Sequence, residues 1–203
     1  TILRTHWENE INNSDISLDL KEKFVQDIET ISRLSHLINN LLLLSQTEAV
    51  EINFNFAPTR LDEIIKEVID DATILAEMKK QSIEIAQLTI LTVMGDKMRL
   101  YQLLFNIIDN AIKYSDQEGK IWISLNEQNE RARIEIRDNG YGISKEDLPH
   151  IFERFYRIKK DRARKTGGSG LGLAIGKLIV DSHHGSIQVK SELGKGSVFT
   201  VFL

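Results

Sequence analysis

Two glycine-rich segments are the strongest candidates for contacting a phosphate or a base. They run from Asp138 to Gly142 and from Gly167 to Leu173. Glycine adopts positive φ angles and lets the backbone approach a ligand closely, as a phosphate-binding loop requires. The second segment leads directly into a predicted helix, whose unpaired amides and dipole favour an anion. Together the two segments predict a triphosphate-binding site.

The spacing of these glycines excludes one common phosphate-binding motif and disfavours another. A P-loop has a glycine five residues before the glycine of its Gly-Lys pair and a Ser or Thr after the lysine. Around Gly176-Lys177 those positions are Leu171 and Leu178. A dinucleotide fingerprint needs a small residue where Leu173 stands, and it must follow a strand directly, which this segment does not.

Polar residues at helical spacing predict a second group of ligands. Asn106, Asn110 and Lys113 are separated by four and three residues, which places them on one face of a helix. Amide oxygens are hard metal ligands, and a lysine ammonium attracts phosphate. Asp138 closes a predicted strand, where its carboxylate can accept a hydrogen bond from an adenine amino group. Each residue taken alone also fits a solvated face or an ordinary turn.

Periodic apolar residues predict alternating strands and helices after residue 51. The predicted strands are Glu51–Phe56, Ser82–Ala86, Thr89–Val93, Lys120–Asn126, Arg131–Asp138, Ser186–Ser191 and Ser197–Leu203. The predicted helices are Leu61–Ala76, Asp96–Lys113 and Leu171–Ser182. This mixture predicts an α+β fold, a two-layer α/β sandwich with its helices on one face of a largely antiparallel sheet.

The first fifty residues predict a helical hairpin. Phe24, Ile31 and Ile38 recur every seven residues within an amphipathic stretch from Leu18 to Glu48. Two helices alone leave apolar surface uncovered, so we expect the hairpin to form a dimeric four-helix bundle with a second copy. Packing of the hairpin on its own domain is the alternative. The predicted domains are 1–50 and 51–203.

Composition excludes several classes of protein. The chain has 203 residues, 41% of them hydrophobic, a net charge of -4 and no cysteine. No apolar run reaches the roughly 18 residues of a membrane span, and the charge does not favour nucleic-acid binding. We therefore expect a cytoplasmic region without membrane or nucleic-acid contact. Arg157 to Lys165 holds six basic residues in nine, a local patch that needs its own explanation.

Five segments, in order, resemble the boxes of sensor histidine kinases. They are an N box at Asn106–Tyr114, a G1 box at Asp138–Gly142, an F box at Ile151–Arg157, a G2 box at Gly167–Leu173 and a G3-like segment at Gly194–Ser197. Leu34 to Leu42 is similar to the second helix of that family's dimerisation and phosphotransfer hairpin. The resemblance implies a Bergerat-type (GHKL) ATP-binding fold and an ATP-dependent protein-histidine kinase of a two-component system.

The resemblance implies that twelve residues bind Mg-ATP: Asn106, Asn110, Lys113, Tyr114, Asp138, Gly140, Gly142, Arg157, Gly168, Gly170, Leu171 and Gly172. Asn110 resembles the Mg²⁺ ligand, with Asn106 beside it. Asp138 resembles the residue that reads adenine, and Lys113 and Tyr114 resemble phosphate and ribose contacts.

The glycines of the G1 and G2 boxes are implied to shape the adenine pocket and to form the hinge and phosphate-facing backbone of the lid. Arg157 resembles the lid arginine that reaches the terminal phosphate, and the basic run from Arg157 is then expected to belong to a mobile lid that attracts a polyanion. The residues implied to act in catalysis are Asn106, Asn110, Lys113 and Arg157. Phe152 and Phe155 are expected to pin the lid to the core, which is a packing role.

One position distinguishes a kinase from hydrolytic relatives. ATP-hydrolysing proteins of this kind carry a Glu four residues before the metal-binding Asn, and this sequence has Asn106 there. An amide cannot accept a proton at neutral pH, so the site favours transfer to another nucleophile. The alternatives are a related ATPase or serine kinase, and a catalytically silent dimerisation or binding module.

The family's phosphoacceptor histidine lies in a segment similar to His-Glu-Leu-Arg-Thr-Pro-Leu. Thr1-Ile2-Leu3 resembles the residues that follow it, so we expect the acceptor to be absent from this chain. His6 and His36 have no acidic partner and are expected to be structural. The resemblance further implies a homodimer, a response-regulator receiver domain as partner and a membrane-anchored parent protein.

Overall fold

The computed structural model describes residues 54–158 and 169–203. The predicted hairpin over 1–50 lies outside these residues, as do Gly168 and most of the basic lid run. The domain boundary at residue 51 and dimerisation through the hairpin therefore stay predictions.

The strands of the described region form two sheets. In chain order they are β1 Ala57–Arg60, β2 Ser82–Leu88, β3 Thr92–Gly95, β4 Lys120–Gln128, β5 Arg131–Asp138, β6 Ser186–Glu192 and β7 Gly196–Phe202. The larger sheet has the order β2-β4-β5-β7-β6, and β1 pairs with β3 in a small antiparallel ribbon. Strands β2 and β4 are parallel, whereas the other pairs of the larger sheet are antiparallel. The prediction of a largely antiparallel sheet is confirmed.

Helices cover one face of the larger sheet. They are α1 Leu61–Glu77, α2 Lys97–Lys113 and α3 Gly172–Ser182, with a short 3-10 helix at Leu148–His150. Helix α2 packs against both α1 and α3. On the opposite face of the sheet, the guanidinium of Arg137 lies over the ring of Trp122, 5.3 Å from its centroid. This is the predicted two-layer α+β sandwich. In the part of the chain that the structure describes, no helix is long and apolar enough to cross a membrane.

Helix α2 carries the N box. Asp96 caps its N-terminus by accepting a hydrogen bond from the Arg99 amide at 3.1 Å. The buried face of the helix consists of Leu100, Leu103, Leu104, Ile107, Ile108, Ala111 and Ile112. Burial of this apolar face leaves Asn106, Asn110 and Lys113 partly exposed. The helix predicted at this position is confirmed, with its first residue acting as the cap.

The strand predicted at Glu51–Phe56 is wrong in its described part, because residues 54–56 belong to no strand. The amide of Asn55 donates to Asp96 Oδ2 at 3.0 Å instead of to a neighbouring strand. The phenylalanine rings on either side of it pack against the ring of His183. Contacts with distant residues therefore override the alternating pattern of this segment.

The strand predicted at Thr89–Val93 is displaced towards the C-terminus. Strand β3 begins only at Thr92, because the amide of Thr89 donates to the Leu125 carbonyl at 3.0 Å and continues the edge of β2. The remaining predicted helices and strands agree with the structure to within two residues at either end.

Asp96 joins the start of α2 to the segment before β1, so its substitution is expected to destabilise the domain. Asp96→Ala removes the acceptors for the amides of Arg99 and Asn55. Each lost hydrogen bond costs about 1 kcal/mol, so the free energy of unfolding should fall by roughly 2 kcal/mol. Denaturant unfolding followed by circular dichroism measures this change. Asp96→Asn keeps one carbonyl oxygen and should lose less, and equal midpoints for Asp96→Ala and the wild type would contradict the capping role.

Candidate functional site

The carboxylate of Asp138 lies at the end of β5, and the residue is only 7% exposed. Its Oδ1 accepts hydrogen bonds from the amides of Gly140 at 2.8 Å and Ser197 at 3.2 Å. Within residues 54–158 and 169–203 both hydrogen bonds of the carboxylate are made by Oδ1, which leaves Oδ2 as an acceptor. The two amides therefore orient the carboxylate without using its second oxygen.

Burial raises the pKa of Asp138, and the two backbone amides oppose this rise only in part. A carboxyl whose pKa is raised by folding stabilises the folded state most at low pH, and that contribution is lost as the pH rises through the raised pKa. The ionised carboxylate therefore costs stability at neutral pH. A poorly hydrated charged acceptor also makes strong hydrogen bonds, which fits a ligand-binding role.

The G1 turn packs against the C-terminal end of α2. A Cβ atom at Gly140 would lie 2.4 Å from the Tyr114 carbonyl oxygen and 2.7 Å from Ser115 Oγ, so only glycine fits there. The amide of Tyr141 donates to the Tyr114 carbonyl at 3.0 Å. Ser115 Oγ is buried and has no hydrogen-bond partner among the described residues. The structure thus brings the end of the N box and the G1 turn together beside an unsatisfied buried hydroxyl.

Gly142 joins the G1 turn to the hairpin of β6 and β7. Its φ is +67°, and a Cβ atom there would lie 2.0 Å from the Glu192 carbonyl oxygen. The amide of Gly194 donates to the Tyr141 carbonyl at 2.7 Å. The same hairpin supplies the Ser197 amide that orients the carboxylate of β5. The G3-like segment therefore contributes to the site through its backbone.

Asn106 links α2 to the start of α3. Its Nδ2 donates to the Gly172 carbonyl at 3.1 Å, which leaves Oδ1 as the acceptor of the same amide. A Cβ atom at Gly172 would lie 3.6 Å from Asn106 Cγ, an ordinary contact distance. Leu171 is fully buried, so its side chain anchors this segment by packing. The structure thus brings together the N box and the end of the G2 box.

Lys113 forms an ion pair within α2. Its Nζ lies 2.5 Å from Asp109 Oδ2, one helical turn earlier, and the two side chains are 35% and 21% exposed. Asn110 follows Asp109 directly and is also partly exposed. A phosphate bound at this face would compete with Asp109 for the ammonium group.

The F box meets the described part of the G2 box at Gly170. The amide of Phe155 donates to the Gly170 carbonyl at 2.9 Å. Phe155 is 61% exposed, so the prediction that it pins the lid to the core is wrong, and Ile151 is the F-box residue that is buried. Phe152 is half-buried, and Arg157 is exposed. The contact of Arg157 with a phosphate stays a prediction.

Ser115 and Ser197 contact the site, and neither is among the residues predicted from sequence to bind the nucleotide. Ser115 directly follows the N box, and Ser197 ends the G3-like segment. Their position next to these boxes is the signal that could have identified them.

Residues 95–203 match the protein family described as "Histidine kinase-, DNA gyrase B-, and HSP90-like ATPase". The chain belongs to this family. The match covers more than half of the 203 residues and includes the N, G1, F and G2 boxes. The site described above is therefore the candidate nucleotide site of a histidine kinase-like ATPase domain.

Curated relatives include sensor histidine kinases from several bacteria. The chain is 40% identical to the sensor histidine kinase RppB of Synechocystis sp. over 173 residues, which are 84% of this chain and 38% of that protein. It is 36% identical to the sensor histidine kinase WalK of Bacillus subtilis over 200 residues, which are 97% of this chain and 31% of that protein. The chain thus spans less than half the length of these relatives. The resemblance to sensor histidine kinases is confirmed.

A solved structure has the same fold. The crystal structure of full-length ShkA in complex with AMPPNP superposes with a TM-score of 0.78 and 25% sequence identity. The likeness covers 99% of this chain and 44% of that protein. The predicted GHKL-type sandwich is therefore confirmed.

Asp138→Asn is expected to weaken nucleotide binding without lowering the stability of the domain. The asparagine oxygen can still accept from the amides of Gly140 and Ser197, while the cost of burying a charge is removed. The variant should therefore unfold at pH 7 at a midpoint equal to or above that of the wild type. Its advantage should grow as the pH rises from acidic to neutral, because the wild type loses stability through the raised pKa of Asp138.

The same variant should bind an adenine nucleotide roughly 10-fold or more weakly, since a hydrogen bond to a charged group is lost. Thermal unfolding over a pH series and titration with a fluorescent ATP analogue measure the two effects. Unchanged affinity would remove Asp138 from the site, and a lower midpoint at pH 7 would show that its charge supports the fold.

Proposed function

We propose that this chain is the catalytic region of a sensor histidine kinase of a two-component system. It binds Mg-ATP and transfers the γ-phosphoryl group to a histidine on a dimerisation hairpin, for relay to an aspartate of a response regulator. The observation that carries this proposal is the oriented Asp138 carboxylate, which begins a G1 turn that packs against the C-terminal end of α2. The named functions of RppB and WalK, and the AMPPNP complex of ShkA, support it.

The geometry around Asp138 supports recognition of adenine. Its Oδ2 is an acceptor, and the adenine amino group is a donor. A guanine base presents a carbonyl oxygen at the equivalent position, so it would place two acceptors against each other. The buried Ser115 hydroxyl, which has no partner among the described residues, gives this corner a second polar group for the base or for an ordered water.

The polar face of α2 supports binding of Mg²⁺ and the phosphates. Asn110 and Asn106 offer amide oxygens, which are the hard ligands that Mg²⁺ prefers. The described residues include no cluster of three His, Asp or Glu side chains arranged as a metal site, so phosphate oxygens would complete the coordination. When bound, Mg²⁺ would neutralise phosphate charge. The Lys113 ammonium would exchange its Asp109 partner for a phosphate oxygen.

The chemistry of Asn106 supports transfer rather than hydrolysis. Its amide cannot take a proton from water, and its Nδ2 is engaged with the Gly172 carbonyl at 3.1 Å. The site can hold a triphosphate for an external nucleophile, and a histidine imidazole of a docked hairpin is such a nucleophile. Arg157, in the exposed part of the F box, would approach the terminal phosphate and offset its charge.

The wider assignments rest on the resemblance to sensor histidine kinases. We propose a homodimer formed through the hairpin of residues 1–50, and a response-regulator receiver domain as the phosphate acceptor of the second step. The region would lie in the cytoplasm as part of a membrane-anchored sensor.

Asn110→Ala is expected to remove the dependence of ATP affinity on Mg²⁺. In the wild type, ATP affinity should fall about 10-fold or more when Mg²⁺ is chelated, because the metal links phosphate oxygens to the protein. The alanine variant should bind ATP equally weakly with and without Mg²⁺. Asn110→Asp keeps a hard oxygen and should retain the dependence. Full Mg²⁺ dependence in the alanine variant would show that Asn110 is not a ligand.

Phosphoryl transfer can be tested with γ-labelled ATP and a separate helical hairpin that carries the His-Glu-Leu-Arg-Thr-Pro-Leu segment. We expect acid-labile, base-stable label on the hairpin, and none when Asn110→Ala replaces the wild type. This chain itself should stay unlabelled, because neither His6 nor His36 is directly followed by an acidic residue that could take its proton. Label on this chain that disappears with His6→Gln or His36→Gln would overturn the assignment of the acceptor.

A further inference from the structure

The turn between α1 and β2 contacts the end of α2 that carries the predicted phosphate and ribose ligands. The Lys79 ammonium donates to the carbonyls of Ile112 at 2.8 Å and Lys113 at 3.2 Å. The last carbonyls of a helix have no partner within the helix, and a cation there also interacts favourably with the helix dipole. Lys79 therefore caps α2 from a segment more than thirty residues earlier in the chain.

Gln81 extends this cap beyond the helix. It is 7% exposed, and its Nε2 donates to the carbonyls of Ile112 at 3.1 Å, Ser115 at 3.1 Å and Asp116 at 2.8 Å. The amide nitrogen carries two hydrogens, so three carbonyls share them. Gln81 thus joins the last turn of α2 to the turn that follows it.

Backbone hydrogen bonds close the same contact. The amide of Glu118 donates to the Lys79 carbonyl at 3.2 Å, and the amide of Ser82 donates to the Gly119 carbonyl at 3.0 Å. The turn after α2 is therefore held at both ends by the turn after α1. Tyr114 lies within the held segment, and its carbonyl receives the G1 turn.

Desolvation opposes the charge of the Lys79 ammonium. Burial lowers the pKa of Lys79, because desolvation outweighs the attraction of Asp109 and Asp116, and Lys113 adds repulsion. The ammonium thus costs free energy to bury, and its hydrogen bonds go to carbonyls of the segment that carries Lys113 and Tyr114. This ammonium is engaged with backbone groups, so any effect that it has on a nucleotide would pass through that segment.

We propose that Lys79 and Gln81 are positioning residues for nucleotide binding. They hold the last turn of α2 so that Lys113 and Tyr114 face the phosphates and ribose of ATP. This inference rests on the proposed function, because it needs those two residues to contact the nucleotide.

The chain offers a matched control for the test. Lys80 is the neighbour of Lys79 and is exposed, and its side chain makes no hydrogen bond or ion pair within the described residues. Lys79→Met and Lys80→Met remove the same charge from the same turn. We expect ATP affinity to fall about 10-fold in Lys79→Met and to stay within about 2-fold of the wild type in Lys80→Met. Only the first substitution removes hydrogen bonds donated by a charged group. Lys79→Arg should restore most of the affinity, because it keeps a cationic donor.

Comparison of ATP with adenosine distinguishes positioning from a general loss of structure. The titrations are made well below the unfolding midpoint of each variant. Lys79→Met should weaken ATP more than adenosine, because Asp138, the predicted adenine acceptor, is oriented by the amides of Gly140 and Ser197 instead. Gln81→Met is a second variant that removes donors without changing charge, and it should show the same preference. It keeps the proposal testable if Lys79→Met does not fold.

Two outcomes separate the inference from the proposed function. A wild type that does not bind ATP overturns the proposed function. If the wild type binds ATP, either of two results overturns only the positioning role. In the first, Lys79→Met and Gln81→Met bind ATP as tightly as Lys80→Met does. In the second, both variants lose affinity for ATP and for adenosine to the same extent.

Discussion

The C-terminal end of α2 has to meet two physical demands at the same place. Its apolar face must stay in the core against α1, α3 and the sheet, while its last carbonyls, which lack helical partners, must find donors. The donors come from Lys79, Gln81 and Tyr141, which belong to two different turns. The helix end becomes the junction at which the turn after α1 and the G1 turn meet.

Charged groups of both signs belong to the segments that meet at this junction. Asp138 is a buried acceptor on one side, and Lys79 and Lys113 are cations on the other, with Asp109 paired to Lys113. Burial opposes the charge of both Asp138 and Lys79, which is shown by the direction of each pKa shift. The domain thus keeps ionisable groups whose charge is opposed by desolvation, and such groups are characteristic of binding and catalytic sites.

Sequence predicts those parts of the fold that depend on near neighbours in the chain. The periodic burial of α2 and β5 follows from local spacing, and both elements have the predicted position. Segment 54–56 has a strand-like pattern as well, but its partners are Asp96 and His183, which local spacing cannot reveal. Prediction therefore fails where an element is determined by contacts across the chain.

Prediction of the site also succeeds where local sequence is informative and fails where distant contacts decide. Asp138, Gly140 and the polar face of α2 are visible in sequence because glycines and amides recur at informative spacings. Lys79 and Gln81 stand in a Lys-Lys-Gln run that looks like an ordinary solvated turn, and only the fold places them on the carbonyls of α2. Phe155 is the reverse case, since its apolar side chain predicted burial and the structure exposes it.

Asn106 couples the choice between phosphoryl transfer and hydrolysis to the start of α3, where the G2 box ends. An amide has a donor and an acceptor, so Asn106 can bond the Gly172 carbonyl through Nδ2 and still offer Oδ1 to a metal or a phosphate-bound water. An ionised glutamate has only acceptors, so it could serve as a base for water but could not donate to Gly172. The link between α2 and α3 and a hydrolytic base therefore exclude each other at this position. A site that keeps the link gives up the base.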